Sequence, residues 1–434
     1  MKPRRVRILC AGLVLAGPSV ARAFAQDAVT TSVHGAASMK DQLAALARLG
    51  LPQDGLQAPP GIDPIAWTAS IVPDEEPTPA RVALGRKLYF EPRLSTDGTV
   101  ACATCHDVTR GFTDNRMVAE GVGGQLGRRN APTTLNAALF TDQFWDGRAR
   151  TVEHQAGMPI LNSIEMGDQT EADVVGRIGA LPEYQQAFQA AFGRAPSYED
   201  LRVAIGSFER TLIFLDAPFD RWQAGDASAI SEAAQRGHVL FDGKARCTNC
   251  HPLNPASPLG TDNAYHNIGV AAHDKDFEGL ARQALAALEK DASEKALDEL
   301  ALGTDLSELG RFMITRNRAD IGAFKTEQLR NLGITAPYMH DGSLQTLWDV
   351  IDHYNKGGED NAFLDGGIEA LALTDAEVDD LVAFLFTLTD VRFADANQRA
   401  FDAQKAQAAK SRPFKDDALS QRRVLGFERR VLGE

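Results

Sequence analysis

The sequence has little with which to cross a membrane, little spare positive charge, few aromatic residues and almost no cysteine outside two short motifs. Its one leading apolar run, Ile8 to Ala16, is far shorter than the ~20 residues of a spanning helix, and no later stretch approaches that length. This excludes a membrane-embedded reading. Lys and Arg number 45 against 59 Asp and Glu, a formal net charge of -14. Such a surface repels nucleic acid and anionic lipid and attracts a basic partner, or serves solubility alone. Aromatics make up 7% of a chain that is 44% hydrophobic. The apolar share therefore rests on Ala and Leu, which favour helix. At 434 residues the chain is too long for one ordinary core and suits two domains with additions.

The N-terminus reads as an export signal. Arg4, Arg5 and Arg7 precede the apolar run, and Ala23-Phe24-Ala25 fits a small-x-small cleavage site. Residues 1–25 are read as the signal peptide and 26–60 as a polar extension. Loss of Lys2, Arg4, Arg5, Arg7 and Arg22 would take the net charge from -14 to about -19. The expected location is the periplasm. Helical patterns then dominate: Pro79 to Phe90, Thr151 to Gly157 and Leu201 to Leu215 in the first half, Glu232 to Phe241 and Thr374 to Leu388 in the second. Thr374-Asp375-Ala376-Glu377 has the form of a capping box.

Cys10 falls in the leader, and the other four cysteines form Cys102-x-x-Cys105-His106 and Cys247-x-x-Cys250-His251. Four cysteines in an exported chain ordinarily suggest two disulfides, but a disulfide does not require the adjacent His. A four-cysteine zinc site wants its pairs ~15–20 residues apart, and these stand on opposite sides of a whole domain. A thioredoxin-like pair would not explain two copies, each with His next. The pattern is that of covalent c-type haem: two thiols add to the haem vinyl groups and the His ligates iron.

Each half thus shows a helix, a haem motif, a long loop region and a closing helix. The expected fold is mainly α, two tandem cytochrome c-like haem domains at 61–225 and 226–392. Two segments stand outside this plan: 277–309, read as one or two solvated surface helices inserted in the second domain, and a polar helical tail at 393–434. An electron carrier fills both axial positions on iron, and an enzyme leaves one open. Candidate sixth ligands are Met117, His154, Met158 and Met166 in the first half. In the second half they are His238, His266, His273, Met313, Met339, His340, His353 and Tyr354. Composition does not choose among them.

Beyond the haem motifs the chain resembles the bacterial di-haem cytochrome c peroxidases. The resemblance is carried by Phe144-Trp145-Asp146-Gly147-Arg148-Ala149, Gln155-Ala156-Gly157-Met158-Pro159, Glu165-Met166 and Arg129-Asn130-Ala131-Pro132-Thr133. It continues at Phe324-Lys325-Thr326, Leu329-Arg330-Asn331 and Thr335 to Gly342, so that the blocks span about residues 80–390 in the family's order. It implies a first haem that reacts with hydrogen peroxide and a second that transfers electrons. It also implies Gln155 and Glu165 on the open face of the first haem, Trp145 as a relay between haems, and a calcium ion held by Asn130, Thr335 and Pro337. A carboxylate at Glu165 suits acid–base work on peroxide, and oxygen donors suit Ca²⁺. The implied partner is a redox protein: a substrate protein, a small cytochrome c or a cupredoxin.

Two departures point to the MauG-like branch, whose members oxidise a partner protein with peroxide. Typical peroxidases of the family carry a blocking His in the loop matching Gly121-Val122-Gly123-Gly124-Gln125, where this chain has Val122. They also carry a Met as sixth ligand of the second haem, where this chain offers Tyr354. Pro159 looks MauG-like as well. An anionic phenolate lowers an iron's potential relative to a thioether. The alternatives are a conventional cytochrome c peroxidase and a non-catalytic di-haem carrier.

Overall fold

Each half of the chain is organised round one helix crossing, and a glycine makes each crossing possible. The computed structural model describes residues 36–53, 57–272 and 275–410. The expected signal peptide, His273 and the tail beyond 410 lie outside the described residues. Three helices frame the first half: α1 (Pro79–Tyr89), α2 (Val152–Leu161) and α3 (Tyr198–Glu209). Thr78 caps α1 through the Arg81 N–H, and Pro79 occupies the first turn, where no N–H is needed. α1 lies on α3, and a Cβ on Gly85 would sit 1.7 Å from the Ala204 carbonyl oxygen. Leu84, Leu88, Tyr89, Ala204 and Phe208 close the core around that contact.

The second half repeats the device. Its helices are α4 (Glu232–Asp242), α5 (Phe277–Leu288), α6 (Glu294–Gly303), α7 (Leu347–Lys356) and α8 (Asp375–Phe386). α4 crosses α8, and a Cβ on Gly237 would meet the Asp380 carbonyl oxygen at 2.0 Å. The Thr374–Glu377 capping box forms as expected. Among the described residues, sheet is confined to a two-residue antiparallel pair, Tyr265–His266 with Phe324–Lys325. No helix of the described residues is long and apolar enough to cross a membrane.

Four elements differ from the sequence expectation. α2 continues past Gly157 to Leu161, because Pro159 sits in the last turn and its missing N–H removes one hydrogen bond. α3 ends at Glu209, because the side chain of Asn136 takes over the following backbone, accepting from the Phe214 N–H at 2.7 Å. The 277–309 segment is not a pair of solvated helices. Phe277, Ala281 and Ala284 of α5 form a core with Leu306, Leu309 and Phe312, and α6 turns its buried Asp298 inward. The tail begins with α9 (Ala394–Ala408), which is docked rather than frayed. Phe401 is buried against Trp348 and Phe386, and Gln404 accepts from the Leu347 N–H at 2.9 Å.

Candidate active site

The two Cys-x-x-Cys-His motifs each line an apolar cavity, and the two cavities share a wall. Cys102, Cys105 and His106 border the first, together with Gln155, Pro159 and Glu165. Cys247, Cys250 and His251 border the second, together with Met339 and Tyr354. None of the four cysteines is in a disulfide. Burial pushes Cys102 and Cys247 up to about 12, so neither is poised as the thiolate of a redox pair.

Both histidines are oriented alike. His106 places Nδ1 3.3 Å from the Phe112 carbonyl oxygen, and His251 places Nδ1 2.8 Å from that of Gly260. A carbonyl only accepts, so Nδ1 carries the proton and Nε2 keeps its lone pair for a metal. Burial pushes His106 down to about 4 and lowers His251, which keeps both neutral. A covalent haem fits this donor set. A further fit comes from Arg129 in the first cavity's wall. Its guanidinium is buried, stacked on Phe324, and lowered to about 10 by desolvation. Nη2 donates to the Ser307 carbonyl, but Nε and Nη1 have no partner among the described residues. A buried cation with two free donors calls for an anion, and haem carries two propionates.

The structure sorts the candidate sixth ligands. Of those in the first half, Met166 lines the first cavity. His154 and Met158 line a separate cleft, and Met117 is exposed on the surface. In the second half His238 packs among Phe219, Trp222 and Phe384. Met313 lies in the core of the inserted segment. His353 uses Nε2 on the Ile268 carbonyl at 2.9 Å. His340 stacks on Phe324 and contacts Glu308 at 3.2 Å. His266 stands near Cys250 and Asp262, but both its nitrogens face carboxylates: Nδ1 to Asp365 at 2.7 Å and Nε2 to Asp262 at 3.0 Å. A carboxylate at each nitrogen favours the doubly protonated ring, which has no lone pair to give, and contacts to Cys250, Asp365 and Asp262 raise its proton affinity. His266, Met339, His340 and Tyr354 all border the second cavity, and the two histidines there are engaged by carboxylates. Desolvation by burial, together with Cys247 and Cys250, raises the Tyr354 phenol above its ordinary value.

Trp145 and Asn130 border both cavities. The indole donates to the Asn130 carbonyl at 2.9 Å, and the Trp145 carbonyl accepts from the Lys325 N–H at 2.7 Å. Asn130 is held in turn by its Nδ2 on the Arg116 carbonyl at 2.8 Å. Thr335 and Pro337 border the second cavity beside it.

Glu165 is a buried carboxyl on the wall of the first cavity. Its Oε2 is buried without a hydrogen-bond partner among the described residues. Burial first, then Asp298, pushes it up to about 8 against the pull of Arg148. A carboxyl in that range both takes and returns a proton near neutral pH. Val122 is buried and donates its N–H to the Glu165 carbonyl at 2.9 Å, which pins the Gly121–Gln125 loop. Sequence reasoning did not single out Asp298, Arg129 or Glu209. Glu209 also lines the first cavity and is pushed up to about 8 by burial and by Glu153. Arg129 lies in a motif that carries the family resemblance, whereas Asp298 and Glu209 carry no local signal, since each gains its place from contacts distant in the chain.

Comparison with known proteins agrees with this architecture. Residues 79–228 match the family model described as di-haem cytochrome c peroxidase. The methylamine utilization protein MauG of Methylorubrum extorquens is 40% identical over 313 residues, covering 72% of this chain and 78% of that protein. The cytochrome c peroxidase Ccp of Escherichia coli is 35% identical, covering 74% of this chain and 60% of that protein. Among solved structures, a MauG-like protein associated with microbial copper homeostasis superposes with a TM-score of 0.61 at 32% identity. That match covers 80% of this chain and 98% of the other. The di-haem peroxidase BthA of Burkholderia thailandensis gives 0.58 at 25% identity, covering 73% and 87%.

Proposed function

Since the chain belongs to the di-haem cytochrome c peroxidase family, we propose that it is a periplasmic enzyme of the MauG-like branch, using hydrogen peroxide to oxidise a protein or other reductant. The observation that carries this reading is the phenol of Tyr354 on the wall of the cavity that also holds His251. Each haem, when bound, supplies an iron that exchanges electrons and, where a coordination position is open, takes peroxide. The first haem would be held by Cys102, Cys105 and His106, and the second by Cys247, Cys250, His251 and Tyr354. Glu165 accepts a proton from peroxide and returns one to the departing oxygen. Gln155 lines the same cavity. Trp145, shared by both walls, is the relay. Asn130, Thr335 and Pro337 would hold a calcium ion.

A conventional peroxidase fed by a small cytochrome c or a cupredoxin is the second reading, favoured by relatives named cytochrome c peroxidase. Steady-state turnover of the purified holoprotein with such reduced donors and peroxide separates the two. Slow turnover together with a long-lived peroxide-oxidised protein supports the MauG-like reading. Rapid donor oxidation overturns it.

A further inference from the structure

Asp298 belongs to α6, in the segment that interrupts the second half, yet its carboxylate is buried against Arg148, a wall residue of the first cavity. Its Oδ1 accepts from Arg148 Nε at 2.8 Å and its Oδ2 from Asn162 Nδ2 at 2.6 Å. Asn162 in turn accepts through Oδ1 from the backbone N–H groups of Ile164 at 2.9 Å and Glu165 at 3.3 Å. A continuous hydrogen-bonded chain therefore runs from a side chain of α6 to the backbone of Glu165. Leu302, one turn further along α6, borders the cavity directly.

The charges follow the same line. Arg148 is held between Asp298 and Asp146, with its side chain only 4% exposed. An unopposed guanidinium beside Glu165 would stabilise the carboxylate and draw it down toward its ordinary range. Asp298 acts on Glu165 twice: it repels the carboxylate and neutralises the cation that would stabilise it. Across the cavity Glu165 faces the thiols of Cys102 and Cys105. Glu120, Arg129, Glu209 and His106 stand elsewhere on its wall. On its far side Asp298 borders a polar cleft between α2 and α6, where His154 contacts Glu294.

We propose that Asp298 is a positioning residue through which the inserted segment sets the geometry and charge state of Glu165. The proposal rests on the reading of Glu165 as the acid–base group. It gives the insertion a place in the peroxide site, which its sequence does not suggest. An acid–base group works best when it titrates near the operating pH; burial raises Glu165 first, and Asp298 adds to that rise against the pull of Arg148.

Infrared titration of the haem-loaded protein tests this. The carboxylic C=O band abolished by Glu165→Gln identifies the group. In Asp298→Asn its midpoint should fall by about 1 pH unit or more, while Glu294→Gln at the cleft should leave it unmoved. Asp298→Ser, which keeps a hydroxyl acceptor without the charge, carries the same expectation. An unchanged midpoint in either folded variant overturns the proposal. If neither variant folds by circular dichroism, Asp298 is a structural residue and the proposal also fails. Failure of the acid–base reading is seen separately: Glu165→Gln would then react with peroxide at the wild-type rate, whatever the infrared result.

Discussion

The indole N–H of Trp145 donates to the backbone carbonyl of Asn130 at 2.9 Å, and both residues border both cavities. The bond fixes the ring in the shared wall, and the Lys325 N–H fixes its backbone from the other half of the chain. On the proposed reading of Trp145 as the relay, these two bonds fix the ring's place between the cavities.

Trp145→Phe should therefore leave both haems attached and slow electron exchange between them roughly tenfold or more, about 1.4 kcal/mol of barrier. Flash or stopped-flow reduction of one haem, followed at the absorbance of the other, reads this. An unaltered exchange rate would remove Trp145 from the path.

Glu165→Gln should slow the reaction with peroxide by ~10²–10⁴-fold while haem content is unchanged. The pH dependence has a definite sign. Glu165 titrates at about 8, and the carboxylate is the form that accepts a proton. The wild-type rate should rise with pH up to that value and then level. The Gln variant should show no such rise, and rapid mixing across about pH 6–10, roughly two units either side of the transition, compares them.

The fully oxidised protein should react with peroxide without prior reduction. Val122 packs in the hydrophobic core and its N–H is bound to the Glu165 carbonyl, so the loop position that matches a blocking His offers no ligand. Mixing the ferric protein with peroxide checks it. Reaction only after partial reduction would mean that another residue closes the site.

Tyr354→Met should raise the midpoint potential of the second haem by roughly 0.1 V or more, within the ~0.8 V that axial ligation spans. Thioether ligation favours the reduced iron, whereas anionic oxygen favours the oxidised iron. The variant should also shorten the lifetime of the peroxide-oxidised protein. A redox titration and the decay of the peroxide-induced spectrum measure the two effects. If both match wild type, Tyr354 is a packing residue.

What the sequence by itself determined is what is local in the chain. Cys-x-x-Cys-His works within five consecutive residues, so both motifs were legible without a fold. The Thr374 cap depends on Glu377 one turn later, and it formed as read. The two helix pairs followed from apolar periodicity, because one stripe of each helix must be buried. What only the tertiary structure decided is what depends on distant partners. α3 stops at Glu209 because Asn136, far upstream, captures the Phe214 N–H. His266 and His353 looked as able to ligate as Tyr354, until carboxylates occupied the first and a carbonyl the second. Asp298 lies in an Ala- and Leu-rich helix that reads as solvated surface. Folding buried it beside Arg148 and Asn162, which tie it to the wall of the first cavity. A buried charge must find a counter-charge or hydrogen-bond donors, and the identity of those partners is set by packing, not by neighbours in sequence.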